Sequence, residues 1–215
     1  MKTLIPAAAL LTATLTCAPA LAQEATGPWS LRLGLAHIGF DESAQIGLGG
    51  TTVPGASFET DNDTTLTVSL GYRFNERFSV EGTVGLPPTA ALTGTGPLAG
   101  VPLGEVTYGP ATLTGLYHMP FANGLEAYVG GGVNYTIVFD TEDGTVSDFE
   151  VDNAWAPVLQ VGLSGAIPDT RAAWFLDAKY IALETKARGT VGGAPATADI
   201  TLNPTILTAG IAISF

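Results

Sequence analysis

TLTVSLGYRF, residues Thr65–Phe74, is the stretch on which the fold turns. Successive side chains of an extended chain point to opposite sides, so Leu66, Val68, Leu70, Tyr72 and Phe74 share one face. Thr65, Thr67, Ser69, Gly71 and Arg73 share the other. A strand with one buried face in a soluble sheet reads the same way. What separates the two is repetition at membrane-spanning length, about 9–11 residues per strand. Working outward from this stretch, eight such segments are predicted: Trp29–Phe40, Thr64–Phe74, Phe78–Leu86, Gly109–Met119, Leu125–Phe139, Asn153–Ile167, Ala173–Leu183 and Ile200–Phe215. The last ends Leu207, Ala209, Ile211, Ile213, Phe215, again at period two.

The connections alternate in length. Asp41–Asp63, Pro87–Tyr108, Asp140–Asp152 and Glu184–Asp199 are long, whereas Asn75–Arg77, Pro120–Gly124 and Pro168–Arg171 are short. Outer-membrane barrels have long extracellular loops and short periplasmic turns, and an even number of strands returns both termini to the periplasm. Trp29, Phe74, Phe78, Phe121, Trp174 and Phe215 fall at the predicted periplasmic strand ends. Phe40, Tyr108, Phe139 and Trp155 fall near the extracellular ends. Rings that favour the membrane–water boundary therefore form two girdles from one topology. A bilayer tolerates no unpaired strand edge, so the sheet must close. The predicted fold is all-β: an eight-stranded antiparallel transmembrane barrel, integral to the outer membrane.

Composition agrees. Hydrophobic residues make up 46% of the 215-residue chain and charged residues 13%, about half the share of a globular domain. No stretch is long and apolar enough for a helical span. Residues 1–22 read as a secretory signal peptide: Lys2 is the positive end, Leu4–Leu15 the apolar core, and Ala20-Leu21-Ala22 the cleavage site. The mature domain is then 23–215. Cys17, the single cysteine, falls inside the removed segment, and Thr14-Leu15-Thr16 before it makes a poor lipobox. The mature chain would carry seven basic residues against 20 acidic ones, a formal charge of −13. That excludes nucleic acid as a partner.

Strand parity sorts the interior. Arg32, Arg73, Glu81, Glu126, Gln160, Asp177 and Lys179 point into the lumen, toward the periplasmic half, where mixed charges must pair. Leu116, Tyr128, Val138, Phe175, Ile181 and Leu183 also point inward and suggest an apolar pocket. An eight-stranded barrel is just wide enough to be filled by side chains, so a wide aqueous channel is not expected.

Several stretches resemble the OmpW family. Trp29-Ser-Leu-Arg32-Leu-Gly34 is similar to its opening strand, and Pro110-Ala-Thr-Leu113-Thr-Gly-Leu-Tyr117-His118 to its fourth. Ala127-Tyr128-Val-Gly130-Gly-Gly132-Val-Asn134-Tyr135 is similar to its fifth. Asp177-Ala-Lys179-Tyr180-Ile181 resembles the seventh, and Asn203-Pro204 with Phe215 the eighth. The loop Pro87–Val106 departs from the pattern and carries no motif. The resemblance implies a small barrel with a hydrophobic lumen that takes up small apolar compounds. Terminal Phe215 also resembles the signal read by barrel-assembly machinery. Lipopolysaccharide is the expected neighbour, and a monomer the expected state.

Other chemistry is weak. Gly130, Gly131 and Gly132 lack the spacing and the helix of a phosphate loop and read as room within a strand. His37 and His118 are the only histidines, too few for a zinc site without further ligands. Asp140, Glu142, Asp143, Asp148, Glu150 and Asp152 lack the spacing of a calcium loop and read as a solvated acidic loop. No cofactor is expected. Three functions compete: a conduit for small hydrophobic molecules, a structural or adhesive barrel, and a lipid-modifying enzyme. The enzyme would need Ser30, Ser79 or Ser164 beside His118, and no motif supports it, so the protein is expected not to be an enzyme. Pro110, Pro157 and Pro204 cannot donate ladder hydrogen bonds and are candidate weak points for sideways exit.

Overall fold

The computed structural model describes residues 27–121 and 124–215. The expected signal peptide and Cys17 lie outside the described residues. Fifteen strands are found among the described residues: β1 (Trp29–Gly39), β2 (Ser43–Leu48), β3 (Thr51–Thr52), β4 (Ser57–Thr60), β5 (Asp63–Arg73), β6 (Phe78–Gly85), β7 (Thr89–Thr95), β8 (Pro102–Pro120), β9 (Leu125–Asp143), β10 (Ser147–Val151), β11 (Ala154–Ala166), β12 (Ala172–Ile181), β13 (Glu184–Val191), β14 (Ala194–Thr201) and β15 (Thr205–Ser214).

Eight of them close the barrel. β1, β5, β6, β8, β9, β11, β12 and β15 pair antiparallel in that order, and β15 returns to β1. Register places like with like on the outer wall: Leu33 lies between Val68 on β5 and Ile211 on β15. Leu31, Leu33, Leu35, Leu66, Val68, Leu70, Leu159, Val161, Leu207, Ile211 and Ile213 all face outward and are exposed. A belt of this size would aggregate in water and is at home in hydrocarbon. At the short-turn end Trp29 meets Tyr72 edge-on at 4.9 Å, Tyr72 meets Phe74 at 5.2 Å, and Phe78 meets Tyr117 at 5.3 Å. Phe121, Trp174 and Phe215 lie at the same end. At the other end Tyr135 packs on Trp155 at 4.6 Å.

The long connections correct the sequence reading: they are largely strand. The predicted fourth strand, 109–119, extends back to Pro102, and the fifth, 125–139, continues to Asp143. Both then outrun the hydrocarbon, so the wall continues beyond the membrane. The predicted eighth strand breaks at Asn203, whose φ of 36° turns the chain, so Ile200 belongs to β14 and not to the barrel. Above the girdle two sheets face each other. One is β4-β7-β8-β9 and the other β10-β13-β14-β2-β3. Phe58, Val106, Phe149, Ala187 and Ile200 form the buried cluster between them.

Candidate functional site

The interior divides into three levels. In the lower barrel, parity aims Arg32, Glu81, Gln160, Asp177 and Lys179 at one another, and all are buried. Arg32 Nη1 stands 3.0 Å from Glu81 Oε2, and Lys179 Nζ stands 2.8 Å from Asp177 Oδ1 and 3.5 Å from Glu81 Oε1. Gln160 Nε2 donates to Glu81 Oε1 at 3.0 Å and to Asp177 Oδ2 at 2.7 Å, while its Oε1 accepts from Thr114 at 2.7 Å. Two cations and two anions thus cancel within one hydrogen-bonded ring. Tyr128 closes it, accepting from Arg32 at 3.0 Å and donating to Asp177 Oδ2 at 3.0 Å. Room for its ring comes from Gly162, where any Cβ would run into it. The Arg32 guanidinium also lies 4.9 Å from the Tyr128 ring centre and 5.2 Å from that of Phe175.

Beneath this plug, at the short-turn mouth, sits a second cluster. Arg73 Nη2 donates to both oxygens of Glu126 at 2.7 Å. Glu126 Oε1 is 2.8 Å from His118 Nδ1, and His118 Nε2 is 2.7 Å from Ser79 Oγ. The Arg73 side chain is 40% exposed. The seven expected network residues therefore form two clusters: Arg73 and Glu126 seal the mouth, and the other five fill the lumen.

Above the plug the polarity reverses. A cavity of about 70 Å³ is lined by Ile38, Val138, Ile181, Leu183, Pro110 and Pro204 among others, and a second of about 130 Å³ lies outward of it. Phe58, Leu92 and Ile200 border both. A small third space of about 20 Å³ shares Ile38, Pro110 and Ile206 with the first and reaches Lys179 of the plug. The apolar track thus runs from the loop end down to the charges and stops there. Of the six residues expected to form the pocket, Val138, Ile181 and Leu183 do line it. Leu116, Tyr128 and Phe175 do not: they are buried lower, Tyr128 and Phe175 against Arg32 and Leu116 over Gly130. Parity gave their direction but not their height. Of the three prolines, Pro110 and Pro204 border the cavity, while Pro157 faces outward and its carbonyl accepts from Ala182 N at 3.1 Å.

A barrel of this shape, with a charged floor and an apolar chamber above the membrane, has relatives. The sequence matches the OmpW family over residues 25–215. The chain belongs to the OmpW family. As an OmpW-family barrel it is an integral outer-membrane protein, set among lipid and lipopolysaccharide. It is 38% identical over 199 residues to the dibenzothiophene metabolism operon protein PahQ of Pseudomonas aeruginosa, with 92% of each chain covered. It is 34% identical to the outer membrane protein AlkL of Ectopseudomonas oleovorans, over 88% of this chain and 83% of that one. Among solved structures it is similar to OprG from Pseudomonas aeruginosa, with a TM-score of 0.81, 25% identity, and coverage of 88% of this chain and 97% of that one. AlkL in lipid bilayers gives a TM-score of 0.73 at 31% identity, with 94% and 97% covered.

For this OmpW-family barrel the remaining candidates fall into structural roles. His37 sits on the outer face with Nδ1 3.4 Å from Thr64 Oγ1. Asp143 of the acidic loop accepts from the N–H of Phe149 at 2.9 Å and of Asp148 at 3.2 Å, holding a hairpin whose Asp148 has positive φ. Among the described residues no three His, Cys, Asp or Glu side chains converge as metal ligands. The vestibule residues Phe58, Leu92, Phe149 and Ile200 were missed by sequence reading. Their signal was a single apolar residue between polar neighbours, as in Ser57-Phe58-Glu59, too short to mark a strand.

Proposed function

We propose that the barrel passes small apolar molecules from the cell surface into the outer membrane. The observation that carries this reading is the apolar track that ends on a buried ring of ion pairs. A hydrophobic solute entering from the loop end gains by leaving water for the vestibule. Driving it on through the plug would desolvate nothing and break buried ion pairs, so the route continues sideways into the bilayer. The relatives named for a dibenzothiophene operon add support, because such a solute is small, apolar and uncharged. The long-loop end is extracellular and both termini periplasmic, as in other barrels of this construction.

The test is uptake into proteoliposomes. Ile181→Asp places a carboxylate on the cavity wall and should cut apolar-solute uptake at least tenfold while the heat-dependent electrophoretic shift of a folded barrel persists. Undiminished uptake by a folded Ile181→Asp barrel would move the structural reading ahead.

A hydrolase reading draws on Ser79, His118 and Glu126, whose atoms stand in the order of a nucleophile, base and orienting acid. Nucleophilic attack also needs donors aimed at the developing oxyanion. The strands carrying Ser79 and His118 pair with each other from Phe78↔Tyr117 onward, which commits their backbone N–H groups to the ladder. The chain of hydrogen bonds is therefore read as a seal on the mouth.

A further inference from the structure

Buried polar groups in folded proteins are nearly all hydrogen-bonded, so each exception asks for a physical reason. Among the described residues four buried side-chain atoms lack a partner: Arg32 Nε, Thr60 Oγ1, Thr112 Oγ1 and Asn134 Oδ1. Arg32 lies within the plug, and Thr60 borders the upper chamber. Thr112 and Asn134 are neighbours. They are register partners across the β8–β9 ladder, and they are 6% and 0% exposed. Asn134 donates through Nδ2 to Thr136 Oγ1 at 2.8 Å, which leaves its amide oxygen unused. Hydroxyls close by are already committed. Thr114, one step down β8, donates to Gln160 at 2.7 Å, and Thr83 meets Ser69 at 2.8 Å.

This level is the step between the plug and the apolar chamber. The space of about 20 Å³ that joins them is bordered by Thr112, Thr67, Thr83, Thr208 and Lys179, from five different strands. Ile38, Pro110 and Ile206 border both that space and the chamber above it. A space of this size holds about one oxygen atom. Lys179 gives two of its three N–H bonds to Asp177 and Glu81. The floor therefore offers an ammonium hydrogen, a hydroxyl that can give or accept, and an amide oxygen that can only accept. Among simple oxygen groups a hydroxyl meets all three, because it accepts through its oxygen and donates its hydrogen. An ether only accepts, and so leaves Asn134 Oδ1 unpaired. A carboxylate also only accepts, and it adds charge beside a ring whose two cations and two anions already cancel. The acidic loop from Asp140 to Asp152 repels such an anion at the entrance.

We propose that this step is a polar subsite for one neutral hydroxyl, and that the preferred occupants of the chamber are small apolar molecules carrying a single alcohol or phenol group. The inference rests on the transport reading above and names its substrate class. The hydroxyl seats between Thr112 and Lys179 with Asn134 beside it, and the hydrocarbon body lies above it against Ile38, Pro110 and Ile206. Molecules without a handle still enter, because leaving water favours them, but they leave Thr112 and Asn134 unpaired.

The test compares 1-naphthol with 1-methoxynaphthalene, which has the same rings and oxygen but no hydrogen to give. Equilibrium dialysis of phosphatidylcholine vesicles with and without the folded barrel separates binding from partition into lipid. Thr112→Val keeps the shape and removes the hydroxyl. It should weaken 1-naphthol about three- to tenfold, the effect of one lost hydrogen bond, and leave 1-methoxynaphthalene within about twofold. Asn134→Leu should show the same contrast. Equal effects on both ligands, or none on 1-naphthol, would overturn the subsite. 1-Naphthoate should bind at least about tenfold more weakly than 1-naphthol; equal binding would overturn the preference for a neutral handle. Ile181→Asp tests the chamber itself and should weaken both naphthol and its ether. If it changes neither, the transport reading falls. If it weakens both and Thr112→Val weakens neither, the chamber holds solutes and the subsite alone falls.

Discussion

The lower barrel and the vestibule share only β8 and β9 and are held in opposite ways. Below, every wall position is in a ladder and the lumen is filled by ion pairs whose hydrogen bonds are nearly complete. Above, two sheets lean together over apolar side chains, and the seams where β9 passes β10 and β2 passes β4 are bridged by side-chain hydrogen bonds, among them Val138 N to Asn153 Oδ1 and Ala44 N to Ser57 Oγ. The difference follows from solvent. Strands surrounded by lipid cannot leave N–H or C=O groups unpaired, so the lower wall must close. Strands beyond the hydrocarbon can have water as their partner, so the upper wall is free to split. The lower half is thus closed by ladders all round, whereas the upper half is divided between two sheets.

The sharpest way to break this comparison is to remove a plug charge. Glu81→Leu leaves Arg32 and Lys179 short of their shared anion, and losing one member of a buried network costs about 3–5 kcal/mol. Urea titration of the refolded barrel in lipid should show that loss; equal stability would mean the ring is wet or paired otherwise. At the seam, Asn153→Ala removes the acceptor of the Val138 N–H, worth about 0.5–1.5 kcal/mol. Its signature is local: amide exchange at Val138 should quicken while β1 and β15 stay protected. Faster exchange spread over the whole barrel would erase the distinction between the halves. At the mouth, Arg73→Gln cuts a pair that is 40% exposed on one side, so the loss should stay within about 1 kcal/mol. The smallest effect is expected at Ser79, which should not react with a fluorophosphonate probe; labelling that vanishes in Ser79→Ala would restore the enzyme reading.

The barrel was legible in the sequence because lipid on one face and a narrow lumen on the other impose a two-residue period that residues such as Leu66, Val68 and Leu70 cannot hide. The plug was half legible. Parity aimed Arg32, Glu81, Asp177 and Lys179 inward, but could not tell that Arg73 and Glu126 lie one level lower with His118. Depth depends on strand tilt and stagger, which are properties of the closed sheet. The vestibule was not legible, since Pro87–Val106 and Glu184–Asp199 are rich in small and polar residues and read as loops.

The sequence by itself determined the number of barrel strands, which face of each meets lipid, and the end at which the connections are long, because each depends on local alternation and composition. Only the tertiary structure decided the levels of the lumen, the two-sheet vestibule and the seam where β9 passes β10. Those arise where residues far apart in the chain, such as Arg32, Glu81 and Lys179, are brought together by closure of the barrel, and no local pattern records that meeting.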